Sequence, residues 1–164
     1  MDKTYSSYDI FFKKEGLNFN KTERIVNESL QKADDGELFL EFKQSESFVY
    51  DDKKIKNASM SIDKGFGIRS VKNETSAYSH SSEINEKSIQ NAGKTVKSIL
   101  SSSAKSKIID PLRTNKKHYS NMNPLNSFTS PEKTKLLKSI DEYARKLDKR
   151  VKQVSISLHG EWQA

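Results

Sequence analysis

The sequence predicts an α+β fold in two layers, with helices packed on an antiparallel sheet. Three observations support this class. An amphipathic helical stretch is followed by several short alternating strands that turn residues separate, and a second amphipathic helix follows them. Another helix and strand then come late in the chain. Leu, Ile, Val and Phe make up only 37 of the 164 residues, so we expect a thin core and long polar connections.

The first helix is expected after an irregular lead over residues 1–19. Asn20 is a candidate N-cap, because Glu23 three residues later completes a loose capping box. The apolar residues that share one face of this helix are Ile25, Val26, Leu30 and Ala33. Residues 34–36 have turn chemistry and should end the helix.

A meander of five short strands is expected next. Leu38, Leu40 and Phe42 alternate with other residues, which is the period-two pattern of a half-buried strand. The remaining strands are expected at 48–50, 54–62, 66–71 and 75–80, with turns at 51–53, 63–65 and 72–74.

The second helix is expected to begin after Ser82 as N-cap. Its apolar face comprises Ile89, Ala92, Val96 and Ile99. Residues 101–128 are a polar connection that is unusually long for a compact domain. A third helix should begin at Thr129, where Glu132 completes a capping box. Its apolar stripe comprises Leu136, Leu137, Ile140, Tyr143, Ala144 and Leu147.

The final strand is expected within residues 151–158, where Val154, Ile156 and Leu158 alternate with polar residues. The predicted organisation is therefore a first α/β repeat at 1–100, the connection at 101–128, and an incomplete second repeat at 129–164. Because that second repeat lacks further strands, we expect residues 123–164 to be less protected than residues 37–100.

Composition excludes several functional classes. The chain has no cysteine, which removes disulfides, thiolate catalysis and cysteine-type zinc sites. No apolar stretch approaches the roughly 18 residues that a membrane span needs, and the first residues lack the apolar core of a secretory signal. We therefore expect a cytoplasmic protein that does not contact membranes.

No motif of known catalytic spacing is present. The histidines, His80, His118 and His159, are too far apart to share a helical face, so no metal site is predicted. Gly65 and Gly67 form Gly-x-Gly, but a strand follows them where a dinucleotide site needs a helix. Glu37, Glu41 and Glu46 show no spacing that identifies an acid–base pair.

The net charge of +7 is concentrated in the last part of the chain. Residues 1–36 carry a net charge of −1, residues 37–100 carry +1 and residues 101–164 carry +7. This distribution leaves a small basic nucleic-acid-binding module as an alternative hypothesis. Lysine supplies most of the excess, and lysine is a weaker indicator of nucleic-acid recognition than arginine.

The order and spacing of several motifs resemble the N-terminal region of the TldD/PmbA family, and Gly16-Leu17 resembles its TldD branch. The matching segments are 33–41, 45–47, 54–56, 63–69, 77–79, 123–125, 131–147 and 150–158. By this resemblance, Gly65, Gly67, Arg69 and Glu41 are family-motif residues with structural roles. Asn123 departs from the family pattern, in which Asp is common.

The family consists of zinc metallopeptidases, also named modulators of DNA gyrase. Their zinc motif, His-Glu-x-x-x-His, is not in this sequence, so no catalytic or metal residue is predicted here. Zinc is expected only in full-length relatives, and this chain alone is expected to have no peptidase activity. The resemblance implies a non-catalytic N-terminal domain or truncated remnant that contributes peptide docking and dimer contacts.

The partners implied by the resemblance are an unfolded polypeptide or peptide and a PmbA/TldE-like subunit or downstream fragment. Nucleic acid is not expected as a partner under this reading. The two hypotheses differ in a measurable way, because a nucleic-acid-binding module would lose affinity steeply as salt rises.

Overall fold

The computed structural model of the protein describes residues 6–99 and 122–164. In these residues the fold is α+β, as predicted. The helices are α1 (Phe19–Leu30), α2 (Glu86–Ile99) and α3 (Ser130–Leu147). The strands are β1 (Asp35–Asp51), β2 (Lys54–Lys72), β3 (Thr75–Ser81) and β4 (Ser155–Gln163). They form one four-stranded sheet in the order β3-β2-β1-β4.

Two long strands replace the four that the sequence predicts between residues 38 and 71. The polar residues 44–47 were expected to interrupt the first strand, but β1 continues through them because their backbone pairs with β4. The turn predicted at 63–65 is also wrong, since β2 continues through it into its pairing with β3. The true hairpin turns hold the non-glycine residues of positive φ, which are Asp52, Lys53 and Asn73.

The starts of two helices also differ from the prediction. The side chain of Asn18, rather than Asn20, accepts a hydrogen bond from the Lys21 N–H at the start of α1. At α2, the side chain of Asn85, rather than Ser82, accepts a hydrogen bond from the Ser88 N–H. Both caps are asparagines, and asparagine is favoured at the N-cap about as strongly as serine.

The capping box of α3 forms as predicted. Glu132 accepts hydrogen bonds from the Thr129 backbone N–H at 2.7 Å and from the Thr129 hydroxyl at 2.8 Å. These two bonds lower the pKa of Glu132, the backbone bond contributing most. The helix therefore begins where the sequence indicates.

The described residues form two compact units, and β1 and β2 contribute to both. The α1–α2 unit comprises residues 6–42, 63–99 and Ala164. The α3–β4 unit comprises residues 43–62 and 122–163. The predicted connection at 101–128 falls mostly outside the described residues.

The α1–α2 unit has the larger core. Helices α1 and α2 run in the same direction, because Lys21 pairs with Glu86 near their starts and Lys97 bonds the Glu28 carbonyl near their ends. The fully enclosed side chains of this unit include Ile68, Ile89 and Val96. Gly93 lets the two helices approach closely, since a Cβ there would collide with the side chain of Ser29.

The α3–β4 unit has a small core of Phe48, Tyr50 and Leu137, against which Ile55, Ile156 and Leu158 pack. Burial raises the pKa of Tyr50. Strand β4 begins at Ser155, later than predicted, and continues to Gln163 because it pairs with Lys43–Asp51 of β1.

Candidate functional site

The family-motif glycines and Arg69 lie on β2, in the α1–α2 unit. A Cβ on Gly65 would lie 2.9 Å from the Ser81 carbonyl oxygen, and a Cβ on Gly67 would collide with the ring of Tyr78. Arg69 donates to Glu37 at 2.9 Å and to Asp35 at 3.0 Å. The hydrogen bond to Glu37 is the main cause of the raised pKa of Arg69.

Glu41 is half-buried on β1 and has an interaction partner. The carboxylates that pair with Arg69 are those of Asp35 and Glu37, which lie nearer the start of β1. The geometry around the motif residues thus consists of close backbone approaches and surface ion pairs. That the family motif has a structural role stays a prediction.

The described residues show no evident set of side chains that could bind a metal ion. Residues 6–99 and 122–164 contain no group of three or more His, Asp or Glu side chains that could hold an ion. His80 stacks on Tyr78 with ring centroids 5.7 Å apart, His159 lies on β4, and His118 is outside the described residues.

An open polar depression of about 310 Å³ lies on the sheet of the α3–β4 unit. Across it, Ser45 and Ser61 share a hydrogen bond of 2.8 Å, and Ser47 faces His159 in the register of β1 and β4. Its lining is Ser45, Glu46, Ser47, Ser59, Ser61, His159, Gly160 and Glu161. The serine hydroxyls of this lining can donate and accept hydrogen bonds without charge.

Strand β4 is an edge strand of the described sheet. Phe42 and Ala164 exchange both of their backbone hydrogen bonds, at 2.9 and 2.8 Å. Antiparallel pairing alternates, so the even-numbered residues of β4 bond to β1 in the same way. The N–H and C=O groups of Ser155, Ser157, His159 and Glu161 consequently point away from β1.

Helix α3 exposes the greater part of its predicted apolar stripe. Leu137 is 1% exposed, but Leu136 is 51% and Leu147 is 68% exposed. Ile140 and Tyr143 are also exposed.

A buried ion pair joins α3 to β1. Lys133 donates to both carboxylate oxygens of Glu46, at 2.7 and 2.6 Å, and to the Leu125 carbonyl at 2.7 Å. Gly160 lies opposite Glu46, and a Cβ there would come within 2.5 Å of the Leu125 side chain. No local pattern predicts this pair, since 87 residues separate its partners.

Comparison with known proteins identifies the class. Residues 36–100 match the family model described as PmbA/TldA metallopeptidase domain 1. The chain is 36% identical over 131 residues to the metalloprotease TldD homolog of Buchnera aphidicola from Schizaphis graminum, covering 79% of this chain. It is 33% identical over 142 residues to the TldD homolog of Haemophilus influenzae, covering 82% of this chain.

Solved structures show the same fold. A candidate modulator of DNA gyrase from Bacteroides thetaiotaomicron superposes with a TM-score of 0.60 at 15% identity, over 88% of this chain and 34% of that one. TldE from Thermococcus kodakarensis superposes with a TM-score of 0.52 at 15% identity, over 88% of this chain and 35% of that one.

The chain belongs to the TldD/PmbA family, and it corresponds to the N-terminal part of a TldD-like protein. The resemblance recognised in the sequence is thereby confirmed. The chain spans a little over a quarter of the curated relatives it matches, 27% and 29% of their lengths. In the described residues, no helix is long and apolar enough to cross a membrane.

Proposed function

We propose that this chain is a non-catalytic, peptide-docking part of a TldD-like metallopeptidase. The observation that carries the proposal is the edge of β4, whose outward backbone groups lie beside an open polar depression. An exposed strand edge binds extended polypeptide by adding a strand to the sheet. The names of the TldD homologs support the metallopeptidase context.

Contact with a PmbA/TldE-like subunit is the second part of the proposal. The likeness of the fold to TldE of Thermococcus kodakarensis supports it. Zinc belongs, in this proposal, to the remainder of a full-length relative. The chain alone would bind peptide without hydrolysing it.

The experiment combines binding and cleavage on the purified chain. Fluorescence anisotropy with a labelled, permanently unfolded polypeptide should show saturable binding, while gel electrophoresis shows no cleavage with added zinc. Chelator-sensitive cleavage would contradict the non-catalytic role, and absence of binding would contradict the docking role.

The same preparation distinguishes the docking proposal from the hypothesis of a small basic nucleic-acid-binding module. Under the docking proposal, a DNA duplex at about 150 mM salt should not compete with the polypeptide. DNA binding that weakens steeply between low and moderate salt would instead favour a nucleic-acid-binding module, because released counterions produce that dependence.

A further inference from the structure

The apolar pattern of β4 fits two registers against β1. In the structure Leu158 lies opposite Phe48, and the next pair on the same face is Ile156 and Tyr50. Moving β4 by two residues, about 7 Å, would place Ile156 opposite Phe48. Val154 would then lie opposite Tyr50. Because a shift of two residues keeps every side chain on its own face of the sheet, the apolar pattern alone does not select the observed register.

Arg145 is the centre of a hydrogen-bond network at the start of β4. Its Nε donates to both carboxylate oxygens of Asp141 at 3.1 Å, and Asp141 is 2% exposed. Its Nη1 donates to the Lys152 carbonyl at 2.9 Å. Its Nη2 donates to Asp52, in the β1–β2 turn, at 3.3 Å. One planar guanidinium thus joins α3, the β1–β2 turn and the segment that enters β4.

The connection between α3 and β4 has a length that hydrogen bonds set. The Val151 N–H donates to the Asp148 carbonyl at 3.0 Å, which closes a turn at 148–151. At the end of the connection, the Asp52 N–H donates to the Val154 carbonyl at 3.2 Å. The shifted register would have to span the same distance with two residues fewer. The bonds of this turn and of Arg145 would then have to break.

Gly160 restricts the register at the other end of β4. It lies opposite Glu46, where a Cβ would come 2.5 Å from the Leu125 side chain and 3.2 Å from the Glu46 carboxylate. The two-residue shift would place Leu158 at this position. Its side chain would need the space of Leu125, whose carbonyl accepts a hydrogen bond from Lys133. A glycine opposite Glu46 therefore favours the observed register.

We propose that Arg145, the turn at 148–151 and Gly160 form a register lock, which holds β4 in one of the two registers that its apolar pattern accepts. The register decides which side chain stands across from Ser47 in the polar depression. In the observed register it is His159, and in the shifted register it would be Ser157. The register lock thus fixes the chemical composition of this depression, independently of whether the chain docks a peptide.

Cysteine crosslinking tests the register, because the chain contains no cysteine of its own. The pair Ser47→Cys/His159→Cys reports the observed register. These residues form a non-hydrogen-bonded pair, whose Cα atoms lie about 4.5 Å apart and permit a disulfide. The pair Ser47→Cys/Ser157→Cys reports the shifted register, because these residues are now diagonal neighbours at about 7–8 Å. With the register lock intact, the first pair should oxidise at least about tenfold faster than the second.

Opening of the register lock is tested with Arg145→Met/Leu125→Ala, which removes the guanidinium and makes room opposite Glu46. In this background the second pair should oxidise at least about tenfold faster than with the register lock intact, and the first pair should oxidise more slowly. Lys146→Met, an exposed neighbour on α3, is the matched control and should leave both rates unchanged. Unchanged rates in Arg145→Met/Leu125→Ala would overturn the proposal.

A milder variant separates a change of register from loss of the fold. Arg145→Lys keeps the charge, but a single ammonium group does not reproduce the fork of a guanidinium, so the second pair should gain rate by a smaller factor. If both pairs in these variants instead oxidise as slowly as they do in urea, Arg145 holds the α3–β4 unit together without selecting its register, and the proposal is refuted.

Discussion

Lys133 and Glu46 show how strongly single residues determine the α3–β4 unit. Their side chains are 8% and 4% exposed, so each charge depends on the other for compensation. Three short hydrogen bonds satisfy the ammonium group. An ion pair in this setting is costly to break from one side only.

Replacing Lys133→Met should destabilise the fold by about 3–5 kcal/mol, because the Glu46 carboxylate stays buried without its partner. Urea unfolding followed by circular dichroism measures the change. The double variant Lys133→Met/Glu46→Gln should recover part of the loss. Lys135→Met, on the exposed side of the same helix, is the control and should change stability little. An equal loss in the control would refute the explanation.

Asp9 carries a separate prediction for the N-terminal lead. A hydrogen bond from Lys13, followed by those from Ser6, lowers its pKa from 3.8 to about 2. A carboxyl group whose pKa is lowered by folding stabilises the fold above its usual pKa and loses that effect as pH falls towards 2. Carboxyl NMR titration should give a value near 2 and a higher one in Lys13→Met. An unchanged value in the variant would show that Lys13 is not the cause.

Helix packing in the α1–α2 unit depends on one glycine. Helix propensity alone predicts that Gly93→Ala stabilises α2 by about 1 kcal/mol. The close approach of Ser29 predicts the opposite sign, with destabilisation of about 1–3 kcal/mol from overpacking. Thermal unfolding decides between them, and a double-mutant cycle with Ser29→Gly should show favourable coupling. Additive effects would mean that the two positions do not interact.

The edge of β4 predicts an alternating pattern of amide exchange. The amides of Ile156, Leu158 and Gly160 bond β1 and should exchange slowly, whereas those of Ser157 and His159 should exchange quickly. Hydrogen exchange followed by NMR on a dilute sample gives each rate. Slow exchange at Ser157 and His159 as well would reveal a further strand partner at this edge.

On the scale of the whole molecule, local sequence patterns predicted the fold class. The features that they did not predict depend on pairing between residues far apart in the chain. Alternation identified strands at 38–43 and 75–80, and the Thr129 capping box located α3. The merging of strands into β1 could not be predicted, because residues 44–47 are polar and are held by pairing with β4 more than 100 positions later. The pairing of β4 with β1 could not be predicted for the same reason, since the alternation at 154–158 does not reveal the neighbour of the strand.

The two units differ in the size of their cores, so their backbone amides should differ in protection from hydrogen exchange. The α3–β4 unit rests on Phe48, Tyr50 and Leu137, whereas the α1–α2 unit encloses many more apolar side chains. Amides of residues 123–164 should therefore exchange faster overall than those of 63–99, as burial of apolar surface sets local stability. Mass-spectrometric exchange on peptic peptides would test this, and equal protection would show that the smaller core suffices.

The enclosure of Lys133 also has a consequence for covalent chemistry. Amine-reactive reagents need an accessible lysine amine in its neutral form, and the Lys133 side chain is 8% exposed with its donors directed at three acceptors. Lys72 is 4% exposed, although its Nζ has no hydrogen-bond partner among residues 6–99 and 122–164. Under brief acetylation these two lysines should stay unmodified in the folded chain while exposed lysines such as Lys138 react. Because only opening of the fold uncovers them, mass spectrometry of their acetylation would report how often each unit opens.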